Sequence, residues 1–248
     1  MRALRILLIV AVVLGGLFVA ADRLAVFFAE DEAAGRLRTS EGLASTPDVS
    51  IKGFPFLTQA ASGTLDEVEV SIKDYDANAG TGSGNGAKPV RIEKLTARMT
   101  DVDFSGDFSS ATARRATGTA LVSYSELLKA AQVKPVQLAR GVTAKVIGLS
   151  DGGDGKIAVS VEATVMGRKL PQPITVTSSA TVRNGEVTVD ADSLPNLGVP
   201  LAEDKVREIT DFRQRISDLP AGIELDKVEA APDGVNISVK GSNVRLVG

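Results

Sequence analysis

The sequence contains no cysteine, no histidine and no tryptophan among its 248 residues, and aromatic side chains make up only 4% of it. Without cysteine there is no disulfide framework, thiolate metal site or thiol nucleophile. Without histidine the usual general base near neutral pH is gone, and with it Ser-His and Cys-His catalysis and His-ligated metals. A basic surplus is missing too: 28 Lys and Arg face 31 Asp and Glu, and the densest basic pair is Arg114-Arg115. A chain that held nucleic acid by neutralising phosphates would carry a basic patch, so nucleic acid is not an expected partner. What remains is 44% apolar, enough for a packed core.

The longest apolar run lies near the first residue. Arg2 and Arg5 precede it, and the sixteen residues from Ile6 to Ala21 carry no polar side chain before Asp22 and Arg23 end the run. A basic start ahead of a short apolar stretch is the pattern of an export signal, and the charge bias puts the chain beyond Asp22 outside the cytoplasm. As a helix the run spans about 24 Å, short of the ~30 Å hydrocarbon core. Residues 1–21 therefore read as a signal peptide or membrane anchor, and 22–248 as an exported α+β domain of net charge −5. Helical character continues to Leu37, with Leu24, Phe27 and Phe28 on one face and Arg23, Glu30, Glu32 and Arg36 on the other. The adjacent phenylalanines either cap a core or meet lipid.

From Val49 onward the period is two. Val68, Val70 and Ile72 alternate with acids and a lysine, as in a strand with one wet face. Val90 to Phe104 alternates with parity flips near Lys94 and Asp101, the mark of a long bulged strand. Ile157–Val165 and Ile174–Val182 come next, the latter joined through Asn184-Gly185 to Val187 and Val189, a strong hairpin signal. Ile223–Leu225, Val235–Val239 and Val244–Leu246 read as a closing meander with turns at Asp233-Gly234 and Gly241-Ser242. Two helices are expected between strands: one capped by Ser125 and carrying Leu127 and Leu128, and one over Glu203–Ser217 with Val206, Ile209, Phe212 and Ile216 on a stripe. Gly80–Gly86 lacks the order of a phosphate loop and reads as a flexible connection.

Tests for chemistry come back thin. Asp74, Asp76 and Asn78, and again Asp101, Asp103, Ser105 and Gly106, mimic the start of a calcium loop. Both lack the bidentate Glu at position twelve, where Asn85 and Thr112 stand. Asp151 to Gly155 reads as a hairpin loop. The G-x-S-x-G match at Gly148–Gly152 runs into the Asp151–Gly155 loop in a chain without histidine, so it is no nucleophile elbow; no S-x-x-K occurs, and Glu67/Glu69 read as the wet face of a strand rather than a glycosidase pair. The more informative block is Ile51 to Gln59, I-K-G-F-P-F-L-T-Q. Phe54 and Phe56 would point to one side of an extended segment, with Pro55 removing a ladder donor between them. Such rings either line an opening or close one end of the core, and Lys52 beside them is placed to meet a phosphate.

With the basic-apolar start, the G-F-P-F-L-T-Q block at Gly53–Gln59, followed by G-T-L-D-E-V-E-V at Gly63–Val70, resembles the LmeA-like phospholipid-binding proteins of actinobacterial cell envelopes. The closing run from Leu219, L-P-A-G-I-E-L-D-K-V-E-A, and Tyr124-Ser-Glu-Leu127-Leu128 are similar as well. The resemblance implies a curved antiparallel sheet wrapped against helices, similar to tubular lipid-binding folds, and a non-catalytic, extracytoplasmic, membrane-associated protein. Its implied partners are phospholipid or another acyl lipid, the membrane surface and envelope glycolipid enzymes. It implies no cofactor, and ties function to upkeep of the envelope or its lipomannan. Acyl chains gain about 0.8 kcal/mol per CH₂ removed from water, so an apolar channel beside the sheet suffices. Phe27, Phe28, Lys52, Phe54, Pro55, Phe56, Leu57, Leu127 and Leu128 are the candidate lipid-contact residues. The alternatives are a membrane-tethered structural or partner-binding module with a solid interior, and a glycan-acting enzyme with paired acids.

Overall fold

The computed structural model describes residues 2–77, 90–106, 110–130, 134–192, 207, 211–215, 219 and 222–247. The Gly80–Gly86 connection, Asn78 and Asn85 lie outside them. Arg2–Ser40 form one continuous helix, α1. An 18-residue window of mean hydropathy 2.7 has none of its residues buried, so by length and composition α1 suffices to cross a membrane. Only the later part of α1 packs: Asp22, Val26 and Ala34 are buried, a stripe at helical spacing. Glu30 on the same helix accepts the backbone N–H of Ile51 at 2.7 Å, which occupies an amide of an edge strand that would otherwise be unpaired.

Strand β1 (Asp48–Lys52), helix α2 (Phe56–Ser62) and strand β2 (Thr64–Ala77) come after it, then β3 (Val90–Phe104) and β4 (Ala111–Ser123). Helix α3 (Tyr124–Ala130) leads to β5 (Val136–Ala139), β6 (Val142–Asp151), β7 (Ile157–Val165), the short β8 (Arg168–Lys169), β9 (Ile174–Arg183) and β10 (Glu186–Ala191). The last strands are β11 (Phe212–Arg215), β12 (Ile223–Ala231) and β13 (Gly234–Val247). They form a six-stranded sheet in the order β1-β2-β3-β4-β13-β12 and a seven-stranded sheet in the order β11-β10-β9-β7-β6-β5, with β8 beside β7. One sheet curls into a half-barrel. The fold is thus the expected α+β arrangement, a long curved antiparallel sheet with helices.

Local chemistry accounts for the bends. In β3, Glu93 and Lys94 are both exposed and Asp101 takes a φ of 52°, so the strand absorbs both parity flips as bulges. Asn184 and Gly185, at φ 52° and 73°, close the β9–β10 hairpin with Val187 opposite Val182, the geometry a two-residue turn of primed type requires. Asp151 accepts the Gly153 N–H at 2.9 Å in the loop between β6 and β7.

Two sequence expectations are corrected. The helix placed over Glu203–Ser217 does not reach its expected end: Arg207 is helical, but Phe212–Arg215 pair with β10, Phe212 opposite Val189 and Arg215 opposite Glu186. The unpaired edge of β10 overrides a helical period in these residues; Val206, Ile209 and Ile216 lie outside the described residues. The turn placed at Gly241-Ser242 is also absent, because β13 runs through it from Gly234 to Val247. Asn243 at φ 51° takes up the parity change between Val239 and Val244 as a local bulge.

The chain divides into two compact units, Met1–Ile72 with Thr96–Thr117 and Gly241–Gly248, and Lys73–Leu95 with Gly118–Lys240. The second has the larger core, ten buried residues around Val146, Val159, Val161 and Val235. The first has a core cluster of three, Met99, Val102 and Ala113, with Leu65, Val68 and Val70 only partly buried against it. Leu65, Val68 and Val70 thus keep part of their apolar surface open.

Candidate functional site

The G-F-P-F-L-T-Q block builds a buckle that ties α1 to the start of the first sheet. Gly53 has a φ of +98°, and a Cβ there would lie 2.4 Å from both the Gln59 Nε2 and the Asp66 Oδ2, so only glycine fits. The Phe54–Pro55 peptide is cis. Helix α2 then begins at Phe56 behind Pro55, which supplies no side-chain cap. Asp22 of α1 supplies it instead, accepting the Leu57 N–H at 2.8 Å in a position where it is wholly buried. This satisfies an amide that a helix start leaves orphaned. Gln59, also buried, accepts the Asp66 N–H at 2.8 Å and donates to the Lys52 carbonyl at 3.4 Å, joining the end of β1 to the start of β2. Gly63 at φ 76° ends α2 in a left-handed cap.

The extended segment expected at Phe54–Leu57 is therefore replaced by a turn into a helix, and the two phenylalanines do not share a side. Phe56 is buried, whereas Phe54 is 57% and Leu57 36% exposed. Arg23 pairs with Asp22 and lays its guanidinium 5.2 Å from the centre of the Phe54 ring, a cation–π distance. On α1, Phe27 and Phe28 make an edge-to-face pair at 5.8 Å and both stay exposed, so they do not cap the core; Val26 does. Lys52 donates to Ser50 at 2.7 Å and sits opposite Glu67 in the ladder, on the wet face. Glu67 and Glu69 both face Arg98, at 3.6 and 3.4 Å, an ion-paired surface. Leu127 and Leu128 belong to the second unit and pack on its core.

On the other face of the first sheet, Val49 stands opposite Val70 and Ile51 opposite Val68. Ile51, Leu65, Val68 and Val70 are all half-buried. This is a continuous apolar strip with solvent access, the surface an acyl chain can cover.

The family model for LmeA-like phospholipid-binding proteins matches residues 20–240, a stretch that opens two residues before Asp22 and takes in the buckle, the strip and the closing strands. The chain belongs to the LmeA-like phospholipid-binding family. Comparison with curated proteins and with solved structures gave no match. Membership of the family supports a lipid-binding role and directs attention to apolar surface rather than to clefts rich in charge.

The second unit holds a cleft of the latter kind. A cavity of about 410 Å³ lies between Asp154–Lys156, Ser179–Val182 of β9 and Asp226–Glu229 of β12. Most of its charges are paired: Lys156 with Asp192 at 2.9 Å, Lys240 with Asp226 at 2.6 Å, and Lys227 with Glu229. A hydrogen bond from Ser179, then Lys156, holds the Asp192 carboxyl below its ordinary range, while Asp192 raises Lys156. An acyl chain placed there would strip water from these ions without replacing it.

Sequence reasoning passed over Asp22, Arg23, Gly53 and Gln59 as site residues. The signal for Asp22 was present: an acid–base pair abutting an apolar helix, with a proline-led helix downstream that lacks a cap of its own.

Proposed function

We propose that the chain is a non-catalytic, membrane-anchored protein on the outer side of the cytoplasmic membrane that binds phospholipid by its acyl chains and serves upkeep of envelope lipid. The observation that carries this reading is the half-buried apolar strip of Ile51, Leu65, Val68 and Val70 over a small core cluster, in a chain of a phospholipid-binding family. Each methylene fully removed from water contributes about 0.8 kcal/mol, and one laid on an open strip about half of that, so a chain segment of six methylenes gains about 2–3 kcal/mol before ordering costs. Glycolipid-synthesising enzymes and lipomannan are the partner and the product this role would serve.

The test is titration of the detergent-solubilised full chain with a phosphatidylcholine carrying a fluorophore on one acyl end, and then recovery of the lipid. Saturable binding, weakened by Val68→Asp while the circular dichroism is retained, and intact lipid on recovery support the proposal. Lack of saturable binding would favour a structural module with a closed interior, and hydrolysed lipid would make the chain an enzyme.

A further inference from the structure

Asp22 and Arg23 end the apolar run in the sequence, but they do not end the apolar surface of the helix. Asp22 is wholly buried beneath α2, and Arg23 is drawn onto Asp22 and the Phe54 ring. Beyond them Leu24, Phe27 and Phe28 are 59%, 62% and 66% exposed. Arg23 remains 49% exposed, and the next exposed charges on α1 are Asp31 and Glu32. Leu24 and Phe28 continue, at helical spacing, the stripe that carries Leu17, itself 62% exposed. From Ile6 to Phe28 the helix spans about 34 Å, which matches the ~30 Å hydrocarbon core that the run to Ala21 alone does not reach.

The buckle lies inside that span. Leu57 is held to Asp22 and Phe54 to Arg23, so both are level with residues 22 and 23 along the helix axis. One turn towards the first residue stand Phe18 and Val19, both exposed, and one turn the other way stands Phe27. A bilayer that covers both flanks covers the buckle between them.

We propose that Leu24, Phe27, Phe28, Phe54 and Leu57 form one collar embedded in the outer leaflet of the bilayer that α1 crosses. The inference rests on the reading of the chain as membrane-anchored and deepens it: the partner surface is the acyl region of the leaflet, below the headgroups. Burying Asp22 under α2 conceals one of the two charges that would otherwise hold this part of the helix in water, and Arg23, its side chain 49% exposed, is long enough to carry its guanidinium to the headgroups while its stem lies along the collar. The collar leads through Gly53 and Lys52 directly into Ile51 of the apolar strip, so a lipid tail passes from leaflet to strip along one stretch of backbone.

The sequence has no tryptophan, which makes single reporters clean. Phe28→Trp, Phe54→Trp and Thr46→Trp are each introduced into the full chain, which is reconstituted in phosphatidylcholine vesicles. Thr46 is exposed and bonded to Arg38, which lies nearly three turns past Phe28, and serves as the aqueous reference. The expected result is that phosphatidylcholine brominated at mid-chain lowers emission of the first two reporters at least about twofold, as for apolar groups sunk below the headgroups. Aqueous iodide should quench only the third. Equal iodide quenching of all three reporters overturns the collar. In the same vesicles, a phospholipid with a photoreactive acyl end that still labels β2 leaves the lipid-binding function standing, whereas loss of that label as well defeats both.

Discussion

Replacing Gly53 by alanine should open the buckle while leaving the rest of the fold in place. The new Cβ lies 2.4 Å from Gln59 Nε2 and from Asp66 Oδ2. Asp66 is exposed and can swing aside, but Gln59 is buried and holds both Asp66 and Lys52. To clear the methyl group Gln59 must abandon two hydrogen bonds, about 1 kcal/mol each. A φ of +98° costs an alanine about 1–2 kcal/mol more, and the stiffer unfolded chain returns at most about 1 kcal/mol. The net cost is about 2–3 kcal/mol, equivalent to roughly a 30- to 150-fold rise in the open population. Amide hydrogen exchange of the full chain in vesicles reads it directly at Leu57, Gln59 and Asp66. Gly35→Ala is the control, since a Cβ there meets nothing within 4 Å and alanine favours a helix. Exchange at those three amides within about threefold of the parent chain, a change worth well under 1 kcal/mol, would refute the reasoning.

Three further predictions concern separate parts of the molecule. Phe54→Leu should change stability by less than about 1 kcal/mol, because its ring is exposed and gives up little more than its contact with Arg23, whereas Phe56→Ala should cost about 3–4 kcal/mol; urea titration of the two variants separates the rings. Val176→Ala, at a position 1% exposed in the centre of the seven-stranded sheet, should lower the stability of the second unit by about 2 kcal/mol, read from its urea midpoint. The Asp192 carboxyl is held below its ordinary value, first by Ser179 and then by Lys156, so its contribution is complete above its unfolded value near 3.9. That contribution is lost as pH falls through the lower folded value. The urea midpoint of the second unit should therefore fall between about pH 5 and pH 2, and fall less in Asp192→Asn; identical pH profiles would remove the linkage.

Much of the sheet was legible because its signals are local. Alternation marked β2, β3, β7 and β9, and Asn184-Gly185 carried its own backbone requirement into the hairpin. The bulge at Asp101 was visible as a change of parity, but the same signal at Asn243 was mistaken for a turn, because glycine and serine just before it carry turn chemistry too. The Phe212–Arg215 strand was hidden because its partner, β10, lies outside any sequence window and its residues keep helical spacing. The site was half legible. The Phe-Pro-Phe block announced itself, yet which ring is buried depends on Asp22, some 30 residues upstream, reaching across to start α2. A tertiary cap of that kind has no period. It also changes what the first apolar run means, since a charge that ends a hydrophobic stretch on paper is folded out of sight.

Photolabelling from the acyl end asks whether phospholipid tails lie on the half-buried strip of the first sheet. The full chain in vesicles containing a phospholipid with a diazirine at the acyl terminus, irradiated and digested for peptide mapping, tests it most directly. Labels are expected on Ile51, Leu65, Val68 or Val70 in addition to those on α1. Labels confined to α1 between Ile6 and Phe28, with β1 and β2 unmarked at full irradiation, would contradict it.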